Sequence, residues 1–140
     1  MTPPFTISTD PAKLDMRWVI TTLRASYWGE WLTPIQIMRA CDHSLCFGAY
    51  VAEPHLQAGR QIGIGRFVTD RATFSSLTDL AVDEMWQRKG VGTAIMRAAL
   101  DHPHIKTTIC ILSSRDARDF YAKFGFLHVG GQVMKRAPHA

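Results

Sequence analysis

No apolar run in this sequence approaches the ~20 residues that a membrane-spanning helix requires, so no membrane association is expected. The amino end, Met1-Thr2-Pro3-Pro4, carries no basic-then-apolar leader, and the expected location is the cytoplasm. Cysteine is scarce. Cys41, Cys46 and Cys110 form an odd set without C-x-x-C spacing, which excludes a disulfide framework and predicts buried, reduced thiols. His102-Pro103-His104 has no nearby Cys or carboxylate partner, so it reads as a polar loop and no metal is expected. Lys and Arg outnumber Asp and Glu by 16 to 12, giving a net charge of +4. They are scattered, without a dense run or interleaved aromatics, so nucleic acid is not an expected partner. No Ser-His-Asp or Cys-His constellation is evident, which argues against a covalent enzyme intermediate. Repeats, linkers and low-complexity stretches are also missing. Residues 1–140 therefore read as one domain, and a hydrophobic content of 46% suffices for an ordinary core.

What is present is a glycine turn. Gln87-Arg88-Lys89-Gly90-Val91-Gly92 follows a strand-like run ending Leu80-Ala81-Val82 and opens a helix-like run from Thr93 to Asp101. The first N–H groups of a helix lack intrahelical partners, and the helix dipole adds partial positive charge there. Two glycines remove Cβ atoms that would keep a phosphate from those amides, and Arg88 and Lys89 add full charge. The turn suits a diphosphate.

Two common phosphate motifs do not fit. The dinucleotide fingerprint wants a third glycine where Ala94 stands, and the mononucleotide loop wants a lysine that Gly92-Thr93-Ala94 lacks. Gln87 to Gly92 instead resembles the Q/R-x-x-G-x-G/A signature of the GNAT superfamily of acyl-CoA-dependent N-acyltransferases. Ser113 to Phe126 resembles the same family's late helix, which reads A-x-x-F/L-Y-x-x-x-G-F; Ala117, Phe120, Tyr121 and Phe124 share one helical face. The resemblance covers roughly residues 45–135.

The pattern along the chain predicts a strand at Phe5–Ile7 and a helix capped by Asp10-Pro11 carrying Leu14, Trp18, Thr22 and Ala25. A second helix follows from Thr33-Pro34 to Ala40. Strands come next at 45–51, 61–69 and 73–82, with Ile62, Ile64, Arg66 and Val68 on one face of the middle one. After them come the helix at 91–101, with Val91, Ala94, Ile95 and Ala98 inward, a strand at 106–112, and the Tyr121 helix. Short closing strands are expected at 126–130 and 132–135. That order is an α+β sandwich with a mixed central sheet flanked by helices, the GNAT-like fold. The resemblance implies that the parallel strands 73–82 and 106–112 splay apart, and that the pantetheine of acetyl-CoA pairs with backbone of the strand ending at Val82.

The resemblance also assigns roles. Leu80, Ala81, Val82, Gln87, Arg88, Lys89, Gly90, Val91, Gly92 and Thr93 would hold acetyl-CoA as co-substrate, and Tyr121 would contact it and protonate the departing thiolate. Asp116 stands near where the family often has a pantetheine-binding asparagine, or simply caps its helix. Asp79 either assists the amine or is a structural carboxylate. Tyr27, Trp28 and Trp31 either line the acceptor pocket or pack in the core; Arg66 either faces that pocket or is a surface charge. The implied activity is direct acetyl transfer from acetyl-CoA to a primary amine, that of a small molecule or, alternatively, of a protein. A non-catalytic acyl-CoA-binding sensor is the reading from another class. Dimers are frequent in the family; the sequence leaves oligomeric state open.

Overall fold

The computed structural model describes residues 3–138. Five strands form one sheet in the order β1-β2-β3-β4-β5: β1 Phe5–Ser8, β2 Leu45–Val51, β3 Gln61–Thr69, β4 Phe74–Val82 and β5 Ile109–Leu112. The first four pair antiparallel, and β4 pairs with β5 in parallel. Helices α1 (Met16–Arg24) and α2 (Pro34–Asp42) cover one face, closing a core of Val19, Leu23, Ile37, Cys41, Cys46 and Ile64. Helix α3 (Val91–Asp101) covers the other, where Val91, Ile95, Met96 and Ala99 meet Phe47, Ala49, Ile62 and Phe67. The one-turn helix α4 (Pro103–Lys106) and α5 (Arg118–Ala122) are the remaining α-helices among the described residues.

Local chemistry explains most boundaries. Thr33 and Gln36 form a reciprocal capping box ahead of Pro34 at the start of α2. The first helix starts later than its sequence signal. Asp10-Pro11 opens only a 3-10 turn over Pro11–Lys13, because Leu14 is extended, and Asp15 caps α1 by accepting from the Trp18 N–H. The buried stripe of α1 is therefore Val19 and Leu23, not Trp18, Thr22 and Ala25. In α3, Val91 and Ile95 point inward as expected, joined by Met96 and Ala99.

The later strands depart further. His102 accepts from the His104 N–H and caps α4, so the predicted strand at 106–112 shrinks to Ile109–Leu112 and the His-Pro-His segment begins a helix rather than a polar loop. The expected strands at 126–130 and 132–135 do not form. Two bulges shift the facing of β3 and β4. One leaves Ile62 unpaired between the Gly63–Ala49 and Gln61–Tyr50 partners, which puts Ile62 in the α3 core and Ile64 in the other. The predicted common face of Ile62, Ile64, Arg66 and Val68 is thereby broken.

The second bulge leaves Thr78 without a partner on β3, its hydroxyl donating to the Arg66 carbonyl at 3.1 Å. It lies where β4 and β5 part. Their pairing runs from Phe74–Ile109 to Leu77–Leu112 and stops, while β4 stays paired to β3 as far as Val82–Gly63. The outer backbone edge of residues 78–82 therefore faces a gap.

Gly65 fixes how α3 seats on the sheet. A Cβ there would stand 2.6 Å from Ile95 Cγ2, inside a fully packed cluster. We predict that Gly65→Ala destabilises the fold by about 1–3 kcal/mol through overpacking. A lowered denaturant midpoint at unchanged slope would report it.

Candidate active site

At the parting of β4 and β5, four elements converge: the free edge of β4, the turn before α3, the start of α5 and the loop between α1 and α2. The turn leaves β4 through Asp83, whose N–H donates to the Ile62 carbonyl at 2.8 Å and whose carboxylate holds Arg60 at 2.7 Å. Gln87 Nε2 donates back to the Val82 carbonyl at 3.3 Å. Arg88 and Gly90 both have positive φ, 63° and 85°, and this winding turns the next amides outward. Gly90 is the N-cap of α3 and supplies no capping side chain. The first helical bond is from the Ala94 N–H to the Gly90 carbonyl, so the N–H groups of Val91, Gly92 and Thr93 have no acceptor among the described residues. A Cβ at Gly90 would meet only open space. An anion thus has unpaired amides, one of them on Val91, which is only 1% exposed, a helix dipole and two flanking cations.

The two glycines have different tasks. Gly92 faces Phe120 Cζ at 3.5 Å and Val82 Cγ2 at 3.9 Å, measured from where its Cβ would stand. Its bareness lets α5 close on the first turn of α3. Lys89 lays its ammonium over the Trp86 ring, 5.3 Å from the centroid, while Arg88 remains exposed.

Tyr121 is half-buried on α5, with its ring edge-on to Phe120 at 5.1 Å and to Phe126 at 6.1 Å. Burial, aided by nearby Tyr27, raises its pKa above the usual 10, so the phenol stays protonated at neutral pH. Asp116 does not cap α5: the N-cap is Ala117, held by the Ser114 hydroxyl, and Asp116 instead pairs with Arg115 at 3.0 Å.

The acceptor-side candidates separate into two groups. Asp79 is 4% exposed; one oxygen accepts from Trp28 Nε1 at 2.7 Å and the other from Arg66 Nε at 2.6 Å. Arg66 also donates to the Ser44 hydroxyl at 2.9 Å, so it is neither a surface charge nor free. Trp28 packs edge-on to Tyr27 at 5.1 Å, and the Arg115 guanidinium lies 3.7 Å from the Tyr27 ring centroid. Tyr27 and Trp28 are thus tied to β4, whereas Trp31 is 62% exposed and has no aromatic partner among the described residues.

The network itself borders a cavity of only about 70 Å³, lined by Arg66 and Asp79 with Leu23, Leu32, Gln36, Ile37 and Ala40. An open groove of about 680 Å³ runs apart from it, between Trp18, Thr21, Thr22 and Ala25 of α1 and Val82, Asp83, Glu84, Met85 and Gln87. Its size is that of small-ligand sites. The sequence reading missed the α1 side. Trp18, Thr21, Thr22 and Ala25 stand at i, i+3, i+4 and i+7, a second stripe beside the buried one, and its threonines were the available signal that this stripe meets solvent.

Known proteins share this fold. The sequence profile described as an acetyltransferase (GNAT) domain matches residues 42–127, more than half of the chain. The chain belongs to the GNAT acetyltransferase family. A Xanthomonas campestris pv. campestris protein assigned to the same family has a crystal structure that superposes with a TM-score of 0.89 at 32% identity, covering 99% of this chain and 96% of that one. A Gibberella zeae protein assigned as an acetyltransferase is 26% identical over 129 residues, 79% of this chain and 73% of its own length. Glucosamine-6-phosphate N-acetyltransferase from Arabidopsis thaliana shares the fold at 16% identity, with a TM-score of 0.67 over 94% of this chain and 97% of its own. The GNAT fold expected from the two motifs is the fold observed, including the splayed parallel strands.

The buried network makes a stability prediction. Asp79→Asn leaves the Arg66 charge buried without a counter-ion and should cost about 3–5 kcal/mol. Removing both charges, with Arg66→Met added, should cost less than the single change. Equal melting temperatures for wild type and Asp79→Asn would show that the ion pair contributes nothing.

Proposed function

We propose that this GNAT member transfers the acetyl group of acetyl-CoA directly to the primary amine of a small molecule. The observation that carries the reading is the continuity of the uncapped first turn of α3 with the unpaired edge of β4, and the placing of α5 against both. The amides of Val91, Gly92 and Thr93 fit a diphosphate, with Arg88 beside them, and Leu80, Ala81 and Val82 offer backbone groups to an extended amide-bearing arm. Bound there, acetyl-CoA supplies an activated thioester.

The chain's own residues then align, polarise and move a proton. Backbone N–H at the β4 edge stabilises the carbonyl oxygen as charge develops. Tyr121, held protonated, hands its proton to the thiolate that leaves, and its phenolate takes up in return the proton that the acylated amine sheds. Asp79 has both oxygens engaged, so it positions the Tyr27–Trp28 wall rather than receiving a proton. The open groove admits the amine, and Glu84, which has no salt bridge among the described residues, draws an ammonium toward it.

Binding is tested by thermal shift. Acetyl-CoA or CoA at 100 times its dissociation constant should stabilise the protein by about 2.7 kcal/mol, and NAD or ATP by far less. Gly90→Val should weaken CoA more than Lys89→Ala does, because the amides are the main ligand and Gly90 needs its left-handed φ of 85°. Normal binding by the Gly90 variant with loss in the Lys89 variant would put the affinity in the side chains.

Chemistry is tested at Tyr121. Tyr121→Phe keeps the ring and its packing but removes the proton donor. Single-turnover thiol release from acetyl-CoA with an accepted amine should slow by ~10²–10⁴-fold, with acetyl-CoA affinity nearly unchanged. An unchanged single-turnover rate would assign the proton to another group. Thiol release by no amine across a broad screen, despite tight CoA binding, would favour a sensor over an enzyme.

A further inference from the structure

The gap between β4 and β5 is closed at its narrow end by side chains as well as by the sheet. The last backbone pair is Leu77–Leu112, and beyond it the strands part. Just past the parting, the Asp79 carboxylate accepts from Trp28 Nε1 at 2.7 Å. Trp28 meets the Tyr27 ring edge-on at 5.1 Å, and the Arg115 guanidinium covers that ring, 3.7 Å from its centroid. Arg115 lies on the segment that leaves β5 at Leu112. The contacts therefore run in a ring. They pass from β4 through the loop between α1 and α2 to Arg115, and return along the chain to β5.

The links of this ring differ in strength. Trp28 is fixed by a carboxylate that is 4% exposed. Tyr27 is 49% exposed and the Arg115 side chain 62%, so their contact is the one that opens most readily. Arg115 keeps its ion pair with Asp116 at 3.0 Å when it leaves the ring, so release does not strand its charge. Parting an exposed cation–π contact costs roughly 2–5-fold in an equilibrium.

What the ring encloses follows from Tyr121. The inference rests on the proposed function, in which Tyr121 meets the thioester sulfur. The acyl carbon is bonded to that sulfur, so the acyl group starts beside Tyr121. Tyr27 is near enough to Tyr121 to add to the rise in its pKa. An acetyl group ends at its methyl, short of the Tyr27–Arg115 contact. A longer tail runs on into it, with the Leu77–Leu112 pair closing the other side.

We propose that Tyr27 and Arg115 form a strap across the acyl end of the slot and restrict the donor to short acyl groups. A long tail has to lift Arg115 from the ring before it finds room. Trp28 stays in place because Asp79 holds it from the other side, so the strap yields at Arg115 and not at the wall. Arg115 is thus a specificity-determining residue for the donor, outside the groups that move protons.

Calorimetric titration with acetyl-, butyryl- and hexanoyl-CoA tests the strap on wild type, Arg115→Ala, Arg115→Lys and Tyr27→Ala. Both positions are exposed, so the variants are expected to fold. Wild type should bind hexanoyl-CoA at least about 2–5-fold more weakly than acetyl-CoA. The ratio of the two affinities should shrink by about the same factor in Arg115→Ala and in Tyr27→Ala. Arg115→Lys, which keeps a cation for the ring, should retain most of it. The ratio is read within each variant, so a general loss of stability leaves it unmoved. Equal or tighter hexanoyl-CoA binding by wild type overturns the strap and leaves the CoA site standing. A wild-type ratio that neither alanine variant changes overturns it too, and places the limit elsewhere. Binding of none of the three, acetyl-CoA included, removes the proposed function itself and the strap with it.

Discussion

β4 has two partners as far as Leu77 and, past the unpaired Thr78, one from Asp79 onward, and the candidate site depends on that change. Had β5 continued beside it, the backbone of residues 78–82 would be satisfied within the sheet and closed to any ligand. Because β5 ends at Leu112, those groups remain open and demand water or a bound chain. The Thr78 bulge sits at the same point and re-aims the strand, so that Asp79 turns to the α1–α2 side and Leu80 to the α3 side. In the proposed function one strand thereby serves a cofactor edge and an acceptor wall at once, and it delivers the chain to the glycine turn.

The acceptor wall is held by charge in a place where charge is costly. Asp79 and Arg66 face each other in register across β3 and β4, and Trp28 reaches in from a loop to complete the carboxylate. An apolar pair of the same volume could pack as stably. What the ionic pair adds is direction: it fixes the Trp28 indole, Trp28 fixes Tyr27, and Tyr27 meets Arg115 from the far side of the gap. The loop between α1 and α2 is thus fastened to the sheet on one side and to the segment before α5 on the other. A loop without regular structure gains a defined position through three side chains rather than through a hydrophobic face.

Much of this was legible in the sequence where the physics is local. The glycine turn, the unpaired first amides of α3 and the cap at Thr33 each depend on a few neighbouring residues, and each stands where the sequence signals it. Phe120 and Tyr121 lie on the five-residue α5 and Phe124 on the turn after it, so the expected helix face is shorter than its signal, yet all three pack against the α3 core. The misses lie where distant residues decide. Nothing near Ile62 or Thr78 marks a bulge, yet each reverses the facing of the residues beyond it. Gln61 gives no sign of burial, but its side chain accepts from the Asp15 N–H and donates to the Gly63 carbonyl, tying the start of α1 to β3. The Trp28–Asp79 bond spans 51 residues, and only the folded chain shows it. The closing strands are a different case: residues 126–135 have apolar alternation and β5 has a free edge, yet the two do not pair, because alternation alone does not choose a partner strand.

The central claim is that the unsatisfied amides of Val91, Gly92 and Thr93 are the anion site of this GNAT protein. Titration of isotope-labelled protein with CoA, followed by backbone amide NMR shifts, tests it residue by residue. The largest changes are expected at Val91–Thr93, with a second set along Leu80–Val82, and little change in β1 or β2. Saturable binding that leaves the Val91–Thr93 amides unmoved would contradict it.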